Sequence, residues 1–303
     1  YMLFIAKKYG LRALAVHYDN TWNTAIATQN ISKITKKLDV DLYTHVCDNK
    51  ESDDIFRSFF LASVPEIDGA TDIALAEVMY RAASKYGIKY VFEGHSFVEE
   101  GVAPMGKAYV DGGYIKALHK KFGEKKMKTF PNMSFAKFIY WVVFKRIKKI
   151  RPFWYLSYSK KEARNFLEAE YGWQYYGGHH LENRMTQFHH SFYTPIKFGL
   201  DQRNNTLAAS VRNNKMTRDE AIEGYSKPLN ETDDLLSYVI KRFGITEDEF
   251  WAVMERPRKF YVDYPTYKKR FEFFRPLFYI LAKVNLVPMS FYLKFCFPTE
   301  DPK

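Results

Sequence analysis

An α/β fold built on a doubly wound parallel sheet is predicted for this 303-residue chain, and three observations predict it. Short apolar runs alternate with helical stretches over the first hundred residues. Glycines 10 and 87 stop helical stretches just before the next apolar run. The runs end in polar clusters, Asp19-Asn20-Thr21-Trp22-Asn23 and Glu93-Gly94-His95-Ser96. Such loops lie at the carboxyl ends of strands, where parallel sheets bind ligands.

Residues 1–9 (YMLFIAKKY) read as the middle and end of an amphipathic helix closed by Gly10, with no N-cap of its own. This predicts a chain that starts inside an element. Residues 12–18 (RALAVHY) are apolar enough for a buried strand. Residues 24–38 come next as a helix with Ala25, Ile26, Ile31, Ile34 and Leu38 on one face. Residues 42–46 (LYTHV) are the next strand, 53–62 a helix, and 64–70 a loop carrying Pro65 and Gly69. Thr71 caps a helix over 72–86, and 88–92 (IKYVF) form a third strand.

The character changes at residue 107. A helix is predicted over 111–122, and the basic run 120–128 reads as a solvated loop. Residues 134–150 (SFAKFIYWVVFKRIKKI) read as a basic helix with an aromatic face. Packing on the core with its basic end in water is favoured there over a membrane or partner contact. Further helices are predicted over 159–171, 206–212, 217–225, 233–243 and 246–254, with capping chemistry at Thr217-Arg218-Asp219-Glu220. The apolar tail 271–297 is interrupted by Arg275, Pro276, Lys283, Asn285, Pro288 and Lys294, which argues for docking on the body or a partner over spanning a bilayer. The expected domain organisation is 1–106 nucleotide-binding, 107–228 substrate- or anion-binding, and 229–303 a helical extension.

The net charge of +11 suits an anionic partner: a nucleotide, a nucleotide sugar, nucleic acid or an acidic membrane face. No RNA-binding or helix-turn-helix signature accompanies it, so nucleic acid is not expected. The two cysteines, Cys47 and Cys296, make neither a metal-ligand pair nor a disulfide framework. A reducing, cytoplasmic setting is expected, and no secretory leader is read at the start.

Residues 177–203 concentrate the chemistry. Three cations (Arg184, Lys197, Arg203), four histidines (His179, His180, His189, His190) and two carboxylates (Glu182, Asp201) sit among glycines and aromatics. Arg offers a planar fork for phosphate oxygens and Lys a mobile point charge. A plain solvated loop beside a helix is the competing reading.

The order LRALAVHYDNTWN, DLYTHV, then SVPEIDGATDIALAEVMYRAASKYGIKYVFEGHSFVEEG resembles the PP-loop ATP-pyrophosphatase superfamily. The block GWQYYGGHHLENRMTQFHHSFYTPIKFGLDQRNNTLAASVRNNKMTRDEAI resembles the N-acetyl sugar amidotransferases of bacterial surface-polysaccharide pathways, including lipopolysaccharide O-antigen synthesis. The resemblance runs from residue 1 to about 228. It implies ATP and Mg2+ as cofactors, adenylation of the amide oxygen of an N-acetyl group on a nucleotide-linked sugar, and displacement of AMP by ammonia. It implies a glutaminase subunit and a cyclase-like channel subunit as partners.

By the same resemblance Arg184, Lys197 and Arg203 would neutralise phosphate charge, and His180 would move protons. Asp72 would aid metal or substrate, although a structural helix N-terminal carboxylate is the simpler view of it. Asp19 and Asn20 would cup the adenosine, and Gly94, His95, Ser96, Glu99 and Glu100 would form a second signature beside the nucleotide. A Ser-Gly-Gly-Lys-Asp-Ser type loop and the central strand carrying it are expected before residue 1. An N-terminal Cys-rich segment is often seen there too. Residues 1–303 alone are therefore expected not to turn over ATP and to show unpaired sheet edges. Two alternatives stay open. One is another PP-loop adenylating enzyme, tRNA-modifying or NAD-synthetase-like, although thiolation needs more cysteines. The other is a non-catalytic scaffold binding nucleotide sugars or membrane.

Overall fold

The computed structural model describes residues 1–101, 108–178, 180–229 and 234–298. The expected boundary at 106/107 and His179 lie outside the described residues. Helix α1 (Met2–Lys8) ends as its sequence predicts: Gly10 takes φ +70, and the Leu11 N–H reaches back to the Ala6 carbonyl at 3.0 Å. The chain then enters β1 (Leu14–Asp19), crosses through α2 (Ala25–Leu38) and returns as β2 (Asp41–Val46). The two strands pair in parallel, from Leu14 opposite Asp41 to Asp19 opposite Val46. Helices α3 (Asn49–Leu61) and α4 (Gly69–Lys85) come next, then β3 (Tyr90–Phe92) and the short α5 (Phe97–Glu100).

Helix α6 (Gly112–Phe122), capped by Asp111, precedes α7 (Phe135–Ile139). Here the structure corrects the sequence reading. The helix expected over 134–150 continues only as a π-helical turn, Tyr140–Phe144. Arg146 takes φ +53, and the chain becomes β4 (Lys148–Ile150), which pairs in parallel with β3. Local periodicity could not show this, because the partner strand lies more than fifty residues away in sequence.

The remainder is helical: α8 (Lys160–Tyr171), α9 (Arg184–Phe188), α10 (Arg203–Arg212), α11 (Arg218–Ser226), α12 (Leu235–Phe243) and α13 (Glu247–Glu255). The tail folds as α14 (Lys268–Phe273), α15 (Arg275–Lys283) and α16 (Met289–Phe295). Full capping boxes open α11 and α13.

The sheet differs from the expected one. Among the described residues there are two separate two-stranded parallel sheets, β1–β2 and β3–β4, in a mostly helical molecule; one continuous doubly wound sheet is not present. Between the two pairs lies a slot of about 630 Å³ bordered by α1, β1, α4 and β3. Each pair therefore has an edge with no strand on it.

Helix α4 is the spine. Its Ala70, Ala74 and Val78 enter one apolar cluster with Phe56, Phe59 and Phe60 of α3, Tyr114 of α6, and Tyr193 and Phe250. Its Tyr80 and Ala83 enter a second with Trp141, Val142, Phe271 and Phe278, so the tail docks on the body. The alanines let neighbours approach from both sides at little side-chain entropy cost. Arg242 of α12 pairs with Asp53 of α3 and lies over the ring of fully buried Trp22 (4.3 Å to its centroid), joining distant segments. Among the described residues no helix is long and apolar enough to cross a membrane.

Candidate functional site at the strand carboxyl ends

The end of β1 is knitted to two other elements. Asp19 Oδ1 accepts the Thr21 N–H at 2.7 Å and the Asn23 amide at 3.3 Å, closing a local turn. Asn20, only 2% exposed, accepts from Trp22 N–H at 3.1 Å and from the Asn183 amide at 2.8 Å. Its own amide donates to Thr71 Oγ1 at 3.3 Å. Thr71 in turn donates to Asp68 Oδ1 at 2.7 Å, and Thr186 donates to Asp68 Oδ2 at 2.6 Å. Asn183 caps α9, and Arg184 N–H reaches the Trp22 carbonyl at 2.9 Å. The strand end, the start of α4 and the start of α9 thus share one hydrogen-bonded floor.

On this floor stand ionisable groups. Asp72, one turn into α4, is exposed to solvent yet surrounded by enough protein to raise its pKa. Desolvation is the main cause and the Asp68 charge adds to it, while Lys294, His180 and His95 oppose. Asp68 is likewise raised by burial, against its two threonine hydrogen bonds.

The histidines divide by charge. Burial disfavours the charged form of His180, but the Glu182 carboxylate (3.3 Å) outweighs it and the pKa rises. The Glu100 hydrogen bond (3.2 Å) raises His95, with burial opposing. Burial pushes His189 down to about 4. Its Nε2 lies 2.8 Å from the Pro65 carbonyl and so carries the proton, while its buried Nδ1 has no partner among the described residues. His190 links the set, 5.6 Å from His180 and 4.9 Å from His189 between ring centroids. The cluster thus offers two acids of raised pKa, two histidines favoured as cations, and a buried neutral imidazole. Among the described residues no group of three or more donors forms a metal cage.

The remaining predicted residues are more scattered. Ser96 is buried with an unpartnered hydroxyl among the described residues, and Gly94 borders the slot. Glu99 accepts the Lys160 N–H at 3.2 Å at the start of α8. The three cations do not converge. Arg184 pairs with Asp234 and lies over Tyr238 of α12. Arg203 chelates Asp201 and donates to the Lys227 carbonyl at 2.7 Å, just past α11. Lys197 donates to the carbonyls of Val253 (2.7 Å), Met254 (2.9 Å) and Arg256 (2.9 Å) at the end of α13. Burial and the nearby Arg256 and Arg258 lower its pKa to about 8.

Sequence reasoning missed Asp68 and Lys294. Asp68 and Asp72 are four apart, a spacing that places both at one side of a helix start. That signal appears once the helix begins at Gly69 and not at Asp72. Lys294 carries no local signal, since it arrives from the tail.

Residues 182–277 match the family described as LPS biosynthesis protein WbpG-like, C-terminal domain. No curated protein matches the chain. The matched segment contributes Asn183, Thr186 and His189 to the site. Through that segment, from Glu182 on the site's rim to Leu277 in the tail, the chain is similar to a lipopolysaccharide-biosynthesis family.

Proposed function

We propose that this chain forms the body of an ATP-dependent amidotransferase that converts the N-acetyl group of a nucleotide-linked sugar to an acetamidino group during lipopolysaccharide or related surface-glycan synthesis. The observation that carries the reading is the coupled cluster of Asp68, Asp72, His95, His180 and His189 near the strand carboxyl ends, floored partly by the matched segment. The slot supports it. Helix α1 runs into β1 as the second half of a strand–helix–strand crossover would, and a parallel strand in the slot would join the two pairs into one five-stranded sheet.

ATP, when bound, would supply the activation that lets the amide oxygen leave with AMP after pyrophosphate has gone. Asp68 and Asp72 fit a hydrated magnesium ion, which commonly takes one or two carboxylates and keeps its other waters. The described residues hold no glycine-rich triphosphate cradle, and the strand in the slot is where that part would enter. His180 can give a proton to a leaving oxygen and take one back from the ammonia-derived nitrogen. A glutaminase with a channel subunit would deliver the ammonia.

The test uses the product of the intact gene with ATP, magnesium, ammonium and a UDP-linked N-acetylhexosamine carrying heavy oxygen in its acetyl carbonyl. The label is expected in AMP, with nitrogen replacing oxygen in the sugar. Asp72→Asn is expected to slow this by about 100-fold. AMP without label, or no sugar-dependent AMP, overturns the reading.

A further inference from the structure

We propose that the cavity between α4, α7 and the tail helices binds an amphiphilic anion: a single apolar chain with a phosphate head. The cavity measures about 300 Å³, the size of a small-molecule site and far above the water-sized voids of a packed core. Ile73, Ala76, Tyr80, Phe271 and Phe291 give it apolar walls. Its polar lining includes Arg151, Ser290 and Lys294, and the one lining carboxylate, Asp111, is taken up by the Tyr109 hydroxyl and the Tyr114 and Tyr267 N–H groups. Arg151 Nη1 donates to Ser290 Oγ at 3.4 Å, and Ser290 and Lys294 stand one turn apart on the same face of α16.

Charge decides which head group fits. Glu93 already neutralises Lys149 (2.7 Å) and engages Arg151 through Nε (3.0 Å). The Lys294 ammonium, by contrast, makes no hydrogen bond or ion pair among the described residues. Its charge acts on Asp72 and Glu66 only at a distance, and a cation with no direct ion pair at the edge of an apolar cavity can still take an anion there.

A second observation points to the same ligand class. The helix between the two walls, α15 with the end of α14, turns Phe273 (78% exposed), Leu277, Ile280 (59%) and Val284 toward water. Their spacing of four, three and four makes one stripe, with Lys269 and Lys283 beside it. An apolar stripe flanked by lysines is the surface that meets phosphate-headed lipid. The stripe thus lies on the segment that joins two walls of the cavity, Phe271 of α14 and Phe291 of α16.

Isothermal titration of the full chain with decyl phosphate, decanol and inorganic phosphate, each below any micellar concentration, tests it. Decyl phosphate is expected to bind one to one. Decanol should bind at least about ten-fold more weakly, and inorganic phosphate not measurably. Ala76→Phe, which fills the cavity, should abolish binding, with circular dichroism checking its fold. Lys294→Met, at a rim position that need not disturb packing, should reduce decyl phosphate to the affinity of decanol and leave decanol unchanged. Absence of decyl phosphate binding overturns the proposal. So does equal affinity for decanol, a folded Ala76→Phe that still binds, or a Lys294→Met with unaltered preference.

Discussion

Glu66 and His189 titrate in opposite senses within one part of the molecule. Glu66 is 5% exposed, and burial pushes its carboxyl from 4.5 up to about 7, although the Tyr109 N–H (3.2 Å) and Tyr114 hydroxyl (3.4 Å) favour its charge. A raised acid stabilises the fold fully below its unfolded value and loses that contribution as pH climbs through the folded one, so the Glu66 share fades between about pH 4.5 and 7. His189 is depressed from 6.5 to about 4, so its share is complete above 6.5 and is lost as pH falls through 4. Each shift is worth on the order of 3 kcal/mol. Across pH 4.5–6.5 the two slopes cancel. Glu66→Gln is therefore expected to expose the histidine slope. Across that window its urea midpoint should gain with pH relative to the wild type, and superimposable profiles would refute the assignment.

At the scale of elements, much was legible because it was local. The cap at Thr217 and the glycine stop at 10 stand where the sequence put them, and the helices predicted from 24, 159 and 246 begin there. Two segments resisted for physical reasons. Residues 189–198 form a π-helix with Pro195 inside it, so their side chains keep no 3.6-residue period. β4 is a strand only because β3 lies beside it and Glu93 receives Lys149 and Arg151; Lys148-Lys149-Ile150 alone says nothing of the kind. The site divides the same way. Its two strand ends were readable, whereas the destinations of Arg184, Lys197 and Arg203 depended on which helix ends came near. Lys197 is the clearest case. Its ammonium satisfies three carbonyls at the end of α13, so Lys197→Met should cost about 1–3 kcal/mol in urea unfolding. A variant as stable as the wild type would free Lys197 from that structural duty.

For the whole molecule, α4 decides how the parts unfold. It contributes buried residues to both apolar clusters, so neither can open without exposing the other's wall. The slot has the opposite character. It is a socket one strand wide, and β2 presents on the same molecule an outer strand with Leu42 41% and Val46 57% exposed. Socket and plug are different surfaces, so a plug seated in a neighbour's socket leaves a free plug and a free socket at the two ends. Association of that kind closes into a ring where the rotation between neighbours allows it and otherwise propagates as an open filament. Light scattering from residues 1–303 should grow with concentration and persist in high salt, and Leu42→Lys, a charge on the plug, should suppress it. A strand that filled the socket would therefore also act as a chain terminator.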